Sequence, residues 1–227
     1  IWRRVNAKEL WDKIVKSAWD SGDPGLWNRD LANYINNEKL PGEVINATNP
    51  CSEESLYDFE SCNLGSINLV KYVHDGKIDW DSLARDVQLA VRFLDDVIDV
   101  NKLPHERLRK RVLETRRIGL GANGLADTLI ALGLKYDSPQ ALAVSNELAS
   151  FIARMAVRAS VELAKEKGVY PAYKHSDWAE GILPWTKHRE RLEKFSSTID
   201  KDAVDEYMRT LDAGYADPKV KEIIDGS

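Results

Sequence analysis

Cysteine is scarce in this sequence: Cys51 and Cys62 are the two in 227 residues. Two thiols exclude a small scaffold stapled by several disulfides, and alone they cannot build a four-thiolate zinc site. Histidine is scarce as well. His74, His105, His175 and His188 show no metal-ligand spacing, so turn or surface roles are expected of them and no metal centre is. A long hydrophobic run is missing. A membrane-spanning helix needs about 20 mostly apolar residues, and the best stretch, residues 125–134, is half that length and carries Asp127. No secretory leader is read at the start, so a cytoplasmic location is the default expectation, without membrane association. Positive charge is in deficit. With 32 Lys and Arg against 37 Asp and Glu, the net charge is −5, and attraction to a nucleic-acid polymer is not the dominant force.

What the sequence does have is the composition of a globular protein, 43% hydrophobic and 30% charged. Its length allows one large domain or two small ones. Helical periodicity dominates. Asn6 with Glu9 reads as a capping box for a helix over 6–21, with Trp11, Ile14 and Ala18 at helical spacing and Gly22-Asp23-Pro24-Gly25 as the stop. A short helix at 30–36 and a loop over 36–50 follow. Residues 79–101 carry one apolar stripe, Trp80, Leu83, Val87, Val91, Leu94 and Ile98, behind an Asp79 cap. Further helices are expected at 125–132, at 138–168 (Ser138 cap, Pro139 first, Gly168 beyond the end) and at 200–214. Residues 62–73 read as a buried strand, and 74–77 as a turn.

Two motifs carry little chemistry. Gly119-Leu120-Gly121-Ala122-Asn123-Gly124 fits G-x-G-x-x-G, but an Arg-rich stretch precedes it and no second strand is read after it. A tight turn passing close to a neighbour explains it better than a dinucleotide site. The basic run 108–117 reads as a solvated helix face. The informative segment is Asn49-Pro50-Cys51-Ser52-Glu53, followed by Glu60-Ser61-Cys62-Asn63-Leu64-Gly65-Ser66-Ile67-Asn68-Leu69. In an extended loop, residues two apart point the same way. Asn49, Cys51 and Glu53 then converge on one small ligand, as hydrogen-bonding amide, reactive thiol and proton acceptor. Cys62, at the start of the expected strand, is held neutral by burial unless a partner thiol is near. The residues alone leave this reading open beside two ordinary core cysteines.

The Asn-Pro-Cys-x-Glu and Glu-Ser-Cys-Asn-Leu-Gly-Ser-Ile-Asn-Leu wording resembles the catalytic core of ribonucleotide reductase large subunits. Gly22-Asp23-Pro24-Gly25-Leu26, the run from Arg92 to Asn101, Arg116-Arg117-Ile118-Gly119-Leu120-Gly121 and the stretch 160–172 extend the likeness in order over about residues 5–180. The resemblance implies a helix-rich segment of the family's ten-stranded α/β barrel, with Cys51 on a finger loop through its centre and Cys62 on an adjacent strand. It makes 1–180 part of the catalytic barrel domain and 181–227 a weakly matching helical extension.

The same resemblance implies roles. Cys51 is the thiyl radical that removes the ribose 3′ hydrogen, Glu53 the base for the 3′-hydroxyl, and Asn49 the amide that binds the hydroxyls. Cys62 is one of two reducing cysteines that become a disulfide as the 2′-hydroxyl leaves as water. Pro50, Ser52 and Leu64 line the substrate site. The substrate is a ribonucleotide, with the likeness leaning to the diphosphate. An external dithiol, thioredoxin-like, resets the disulfide. The eleven-residue step from Cys51 to Cys62, with its Tyr-Asp-Phe-Glu wording, looks most like the adenosylcobalamin-dependent class. A class I subunit fed by a separate metal-radical protein is the alternative.

Two positions depart from the pattern: Ser52 stands where Gly is usual, and Asn123 where an apolar residue or Met is frequent. The chain reads as an internal fragment. The partner thiol of Cys62 and the effector-reading dimer region are expected upstream, the phosphate loop and tail cysteines downstream, and a homodimer once complete. A rival from another class is a thiol peroxidase or redox sensor with Cys51 attacking and Cys62 resolving. A third reading is a non-catalytic binding subunit.

Overall fold

The computed structural model describes residues 4–182 and 201–225. The chain divides into two compact units, Ile1–Asp58 and Phe59–Ser227.

In the first unit, Asn6 caps α1 (Ala7–Ser21), its side chain accepting the Lys8 and Glu9 amides at 2.9 and 3.3 Å. Gly22 ends the helix at φ 83°, a conformation that costs a side-chain-free residue little. None of the α1 residues is buried, and Trp19 is 88% exposed. Its apolar spacing therefore makes a face without making a core. Asn28 caps α2 (Arg29–Ile35).

The core of this unit is small: Ala32, Leu40, Ile45 and Tyr57. Polar side chains complete it. The Asn33 carboxamide brackets Ile45, accepting its amide at 2.8 Å and donating to its carbonyl at 2.9 Å. The Tyr57 hydroxyl donates to Glu38 O at 2.8 Å and accepts from Asn36 Nδ2 at 3.0 Å. The expected loop ends in β1 (Ala47–Thr48), antiparallel to β2 (Ser55–Leu56). Trp27 Nε1 donates to Ser55 Oγ at 2.9 Å and ties this ladder to the start of α2.

The second unit is built around β3 (Asn63–Asn68) and β6 (Ile118–Asn123), which pair in parallel from Asn63 opposite Ile118 to Asn68 opposite Asn123. Parallel neighbours need a long crossover. Here it holds a 3₁₀ turn (Leu69–Tyr72), the hairpin β4 (Val73–His74) and β5 (Lys77–Ile78), then α3 (Trp80–Val100) and α4 (Glu106–Thr115). Asp75 and Gly76 turn the hairpin at φ 51° and 75°, the left-handed pair that suits a two-residue hairpin. Beyond β6 come α5 (Leu125–Ala131), α6 (Pro139–Lys167), a 3₁₀ turn (Pro171–His175), α7 (Lys201–Ala216) and α8 (Pro218–Asp225).

Helix α3 is the keystone. Leu83, Val87, Val91, Leu94 and Ile98 are all buried, and each such side chain contributes about 1.5–3 kcal/mol by leaving water. The helix lies against β3 and β6 on one side and α6 on the other. Buried alanines on α6, Ala141, Ala143 and Ala159, allow close approach. A Cβ at Gly214 of α7 would collide with the Pro139 carbonyl, so glycine is required there. Val220 and Ile223 of α8 complete the cluster. That last helix escaped the sequence reading, although Asp217 accepts the Lys219 amide at 2.8 Å ahead of Pro218, a recognisable start signal.

Several expectations need correction. The strand expected over 62–73 stops at Asn68, and within it only Ile67 is buried. One face of a two-stranded ladder is covered, so alternation replaces full burial. Gly119 and Gly121 lie within β6 rather than in a turn. Only Gly124, at φ 72°, turns, and a Cβ there would sit 2.6 Å from Asn68 Oδ1, so the expected close approach belongs to that glycine. The basic run is not wholly solvated, because its last two arginines are held in ion pairs. His105 caps α4, its Nδ1 accepting the Arg107 amide at 3.1 Å, while His188 lies outside the described residues. Among the described residues the strands form three separate two-stranded ladders, not a closed barrel. No described helix is long and apolar enough to cross a membrane.

Candidate active site

The β1–β2 ladder closes a six-residue loop, 49–54, that carries five of the expected site residues. The loop is a turn, not the extended segment expected from the sequence. The Ser52 amide donates to Asn49 O at 3.0 Å, placing Pro50 and Cys51 at the two central positions. Asn49 Oδ1 then accepts the Glu54 amide at 3.0 Å and lies 3.3 Å from Thr48 Oγ1. Thr48 Oγ1 also donates to Glu54 O at 3.1 Å. The Asn49 carbonyl oxygens are thus spent on closing the loop, and its Nδ2 is the donor left for a ligand. Cys51 and Glu53 are exposed at the tip, while Asn49 and Ser52 are half-buried. Asn49, Pro50, Cys51, Ser52 and Glu53 therefore share one short loop, by turning rather than by the period-two alternation first invoked. Thr48 and the Glu54 backbone are the partners that sequence reasoning missed. A hydroxyl and an amide six residues apart give no periodic signal.

Ser52 adopts φ 68°. This is the left-handed region, which costs a side-chain-bearing residue roughly 1–2 kcal/mol. The usual glycine at this position now has a physical reason, and Ser52 keeps the turn at the expense of strain.

In the second unit, Cys62 stands immediately before β3 and is half-buried; both cysteines are thiols. It is not inside a buried strand as expected. Leu64, two residues on, is 59% exposed on the uncovered face of the β3–β6 ladder. The segment is anchored from both sides. Glu60, its side chain out of contact with solvent, accepts from Arg117 Nε at 2.7 Å. Asn63 Nδ2 donates to Leu94 O of α3 at 3.2 Å. The next arginine, Arg116, sits at φ 48° just past α4 and spans Asp95 and Asp99 of α3, with its closest contacts at 2.9 and 2.6 Å. Lys167 at the end of α6 reaches Asp95, Asp96 and Asp99 at 2.7, 2.5 and 3.2 Å. Burial pushes the Asp95 carboxyl up, but the hydrogen bonds and charges of Arg116 and Lys167 outweigh it and hold it below the usual range. The Arg116 hydrogen bond does the same for Asp99. Three carboxylates that group closely enough to suggest a cation site are thus met by two protein cations, which lock α3, α6 and the approach to β6 together.

Comparison with known proteins adds independent findings. Residues 2–214 match the family model described as ribonucleotide reductase, barrel domain. A vitamin B12-dependent ribonucleoside-diphosphate reductase of Thermoplasma acidophilum is 50% identical over 184 residues, covering 80% of this chain and 24% of that protein. Its counterpart from Mycobacterium tuberculosis is 48% identical over 177 residues, covering 78% of this chain and 25% of that protein. The solved class Id ribonucleotide reductase alpha subunit of Actinobacillus ureae superposes with a TM-score of 0.64 at 28% identity, over 74% of this chain and 33% of that one. The chain spans about a quarter of the length of the curated relatives it matches.

Proposed function

This chain belongs to the ribonucleotide reductase barrel-domain family, and on that premise we propose that it carries the thiol, base and amide with which ribonucleoside diphosphates are reduced to 2′-deoxyribonucleoside diphosphates. The observation that carries the reading is the loop 49–54, which presents Cys51, Glu53 and the Asn49 amide within one hydrogen-bonded turn.

Each residue's part follows from its chemistry. Cys51, as a thiyl radical, takes the hydrogen atom from C3′; an S–H bond forms, a C–H bond breaks, and the unpaired electron moves to the sugar. A thiol suits this step because its S–H bond is close in strength to the activated C–H bond. Glu53 accepts the 3′-hydroxyl proton. Asn49 Nδ2 donates to a ribose oxygen, its Oδ1 being occupied by the loop. The 2′-hydroxyl leaves as water, and two thiols supply the two electrons and two protons. Cys62 is one of them; the second belongs to another part of the whole reductase. Cys51 then returns its hydrogen to C3′. An external dithiol of the thioredoxin kind reopens the disulfide by thiol exchange.

The spacing of Cys51 and Cys62 and the similarity to B12-dependent enzymes favour adenosylcobalamin, which supplies the initiating radical when bound. Cys51 and Glu53 stand exposed on their loop, and none of the described residues is assigned to hold the corrin. The class I reading rests on the likeness to the class Id alpha subunit. Turnover of the whole reductase with adenosylcobalamin and a dithiol alone decides between them; dependence on a second, metal-radical protein selects class I.

The test of the site uses the whole reductase carrying substitutions in this segment. Cys51→Ser is expected to abolish deoxynucleotide formation, because an O–H bond is too strong for the hydroxyl to replace the thiol. Glu53→Gln keeps size and loses the base. It is expected to lower kcat by 10²–10⁴-fold with KM nearly unchanged. Appreciable turnover by Cys51→Ser, or equal losses in binding and rate for Glu53→Gln, removes the residue from its role.

A further inference from the structure

The Glu60–Arg117 ion pair lies where it can act on Cys62. Asn63 is paired with Ile118 in the parallel ladder. Carried one residue back, that register sets Cys62 opposite Arg117, on strands about 4.8 Å apart. Cys62 and Arg117, the residues just before the two strands, are therefore neighbours at the end of the ladder, and Glu60 lies two residues before Cys62 in the chain. From its place opposite Cys62, Arg117 reaches back one pleat to Glu60, with Nε 2.7 Å from the carboxylate. The ion pair thus lies beside the end of the ladder at which Cys62 stands. The ion pair itself is largely dry, with the Arg117 side chain 19% exposed and that of Glu60 0%, so its charges are weakly screened.

We propose that Glu60 and Arg117 are a positioning pair for Cys62: Arg117 fixes the thiol's place on the ladder, and Glu60 cancels the arginine's charge so that the thiol holds its proton at neutral pH. The inference rests on the reading of Cys62 as a redox thiol, for which a sulfur that must deliver a proton with its electron is better kept protonated. Three nearby basic side chains have other contacts. Arg116 is bound to Asp95 and Asp99 of α3. From α4, Arg107 lies over the Phe59 ring at 3.9 Å and His105 stacks on it at 6.2 Å.

The test is the pH dependence of Cys62 alkylation by iodoacetamide, in the full 227-residue chain carrying Cys51→Ser as background. Glu60→Gln keeps the side chain's shape and leaves Arg117 uncompensated, so the Cys62 titration is expected to move down by about one pH unit or more. Arg117→Gln leaves the carboxylate uncompensated and is expected to move it up. The double variant returns it towards the parent, and Arg117→Lys, which keeps the charge, shifts it least. Circular dichroism identifies any variant that fails to fold, and the Lys variant and the double variant then carry the test. A merely structural pair moves every variant in one direction or none, and either outcome overturns the inference. The functional reading is tested separately by Cys62→Ser in the whole reductase. Undiminished turnover there, with opposite titration shifts preserved, removes the redox role and leaves the pair's action on the thiol standing.

Discussion

The two segments that carry the cysteines are built by different means. Loop 49–54 is held by a handful of short polar bonds, from Asn49, Thr48 and the Ser52 amide, on a two-residue ladder. Its unit has four buried apolar residues and an α1 with none. Segment 60–68 is held by a six-residue parallel ladder, an ion pair and contact with α3, which has five buried side chains. Few buried contacts and exposed backbone hydrogen bonds mark a region that opens at low free energy. Cys51 therefore sits where small motions are cheap, and Cys62 where its surroundings are fixed. On the proposed function, a tip that meets substrate and a thiol that stays in register with its neighbour ask for that difference.

The largest effect expected on this contrast comes from the core of the second unit. Leu83→Ala removes a fully buried side chain between the ladder and α6, and a loss of about 2–5 kcal/mol in urea unfolding is expected. Under native conditions the alkylation rate of Cys51, on the other unit's loop, is expected to stay as it was. A parallel change in Cys51 reactivity removes the distinction drawn between the segments.

Next in size is the ion-pair knot. Arg116→Gln leaves Asp95, 16% exposed, short of its main cation, and a loss of about 1–3 kcal/mol at pH 7 is expected, the lower part of the range being favoured because Asp99 is 45% exposed and screened. The sign with pH follows from the carboxylates. Both are held below their ordinary values in the folded chain. Their contribution is present above the unfolded value of about 3.9 and is lost as the pH falls through the depressed folded values. The parent is therefore expected to lose stability on acidification below about pH 4, and Arg116→Gln to lose less over the same interval. Urea midpoints at pH 7 and pH 3 measure both, and identical slopes for the two proteins sink the assignment.

Local signals explain what could be read in advance. Asp79 and its six-residue stripe foretold α3, and Ser138-Pro139 with Gly168 foretold α6, because caps and periodicity act within a few residues. Strand β6 was hidden because its glycines disfavour a strand on their own, and the partner that overrides this preference, β3, lies far earlier in the chain. The arginines before β6 misled for the same reason: Glu60, Asp95 and Asp99 reach them through the fold, not through the local sequence. At the candidate site the residue types could be read and their arrangement could not. An extended loop was the premise for pointing Asn49, Cys51 and Glu53 the same way, and the segment is a hydrogen-bonded turn instead.

That turn supplies the smallest and most discriminating prediction. Ser52 holds φ 68° without the freedom of glycine. Ser52→Gly removes a strain of roughly 1–2 kcal/mol in the folded loop, while the freer unfolded chain offsets part of the gain. The net expectation is a stabilisation of up to about 1 kcal/mol in the first unit. Ser52→Val adds β-branching to a left-handed residue and is expected to destabilise by a similar or larger amount. Because the Ser52 amide closes the turn on Asn49 O, the valine variant is also expected to raise Cys51 alkylation by loosening the tip, and the glycine variant to leave it near the parent rate. Equal stabilities for Gly, Ser and Val at this position mean that the loop relaxes out of the left-handed conformation. The polar closure would then be too weak to define the tip, and the contrast between a hydrogen-bonded loop and a core-anchored strand would lose its first member.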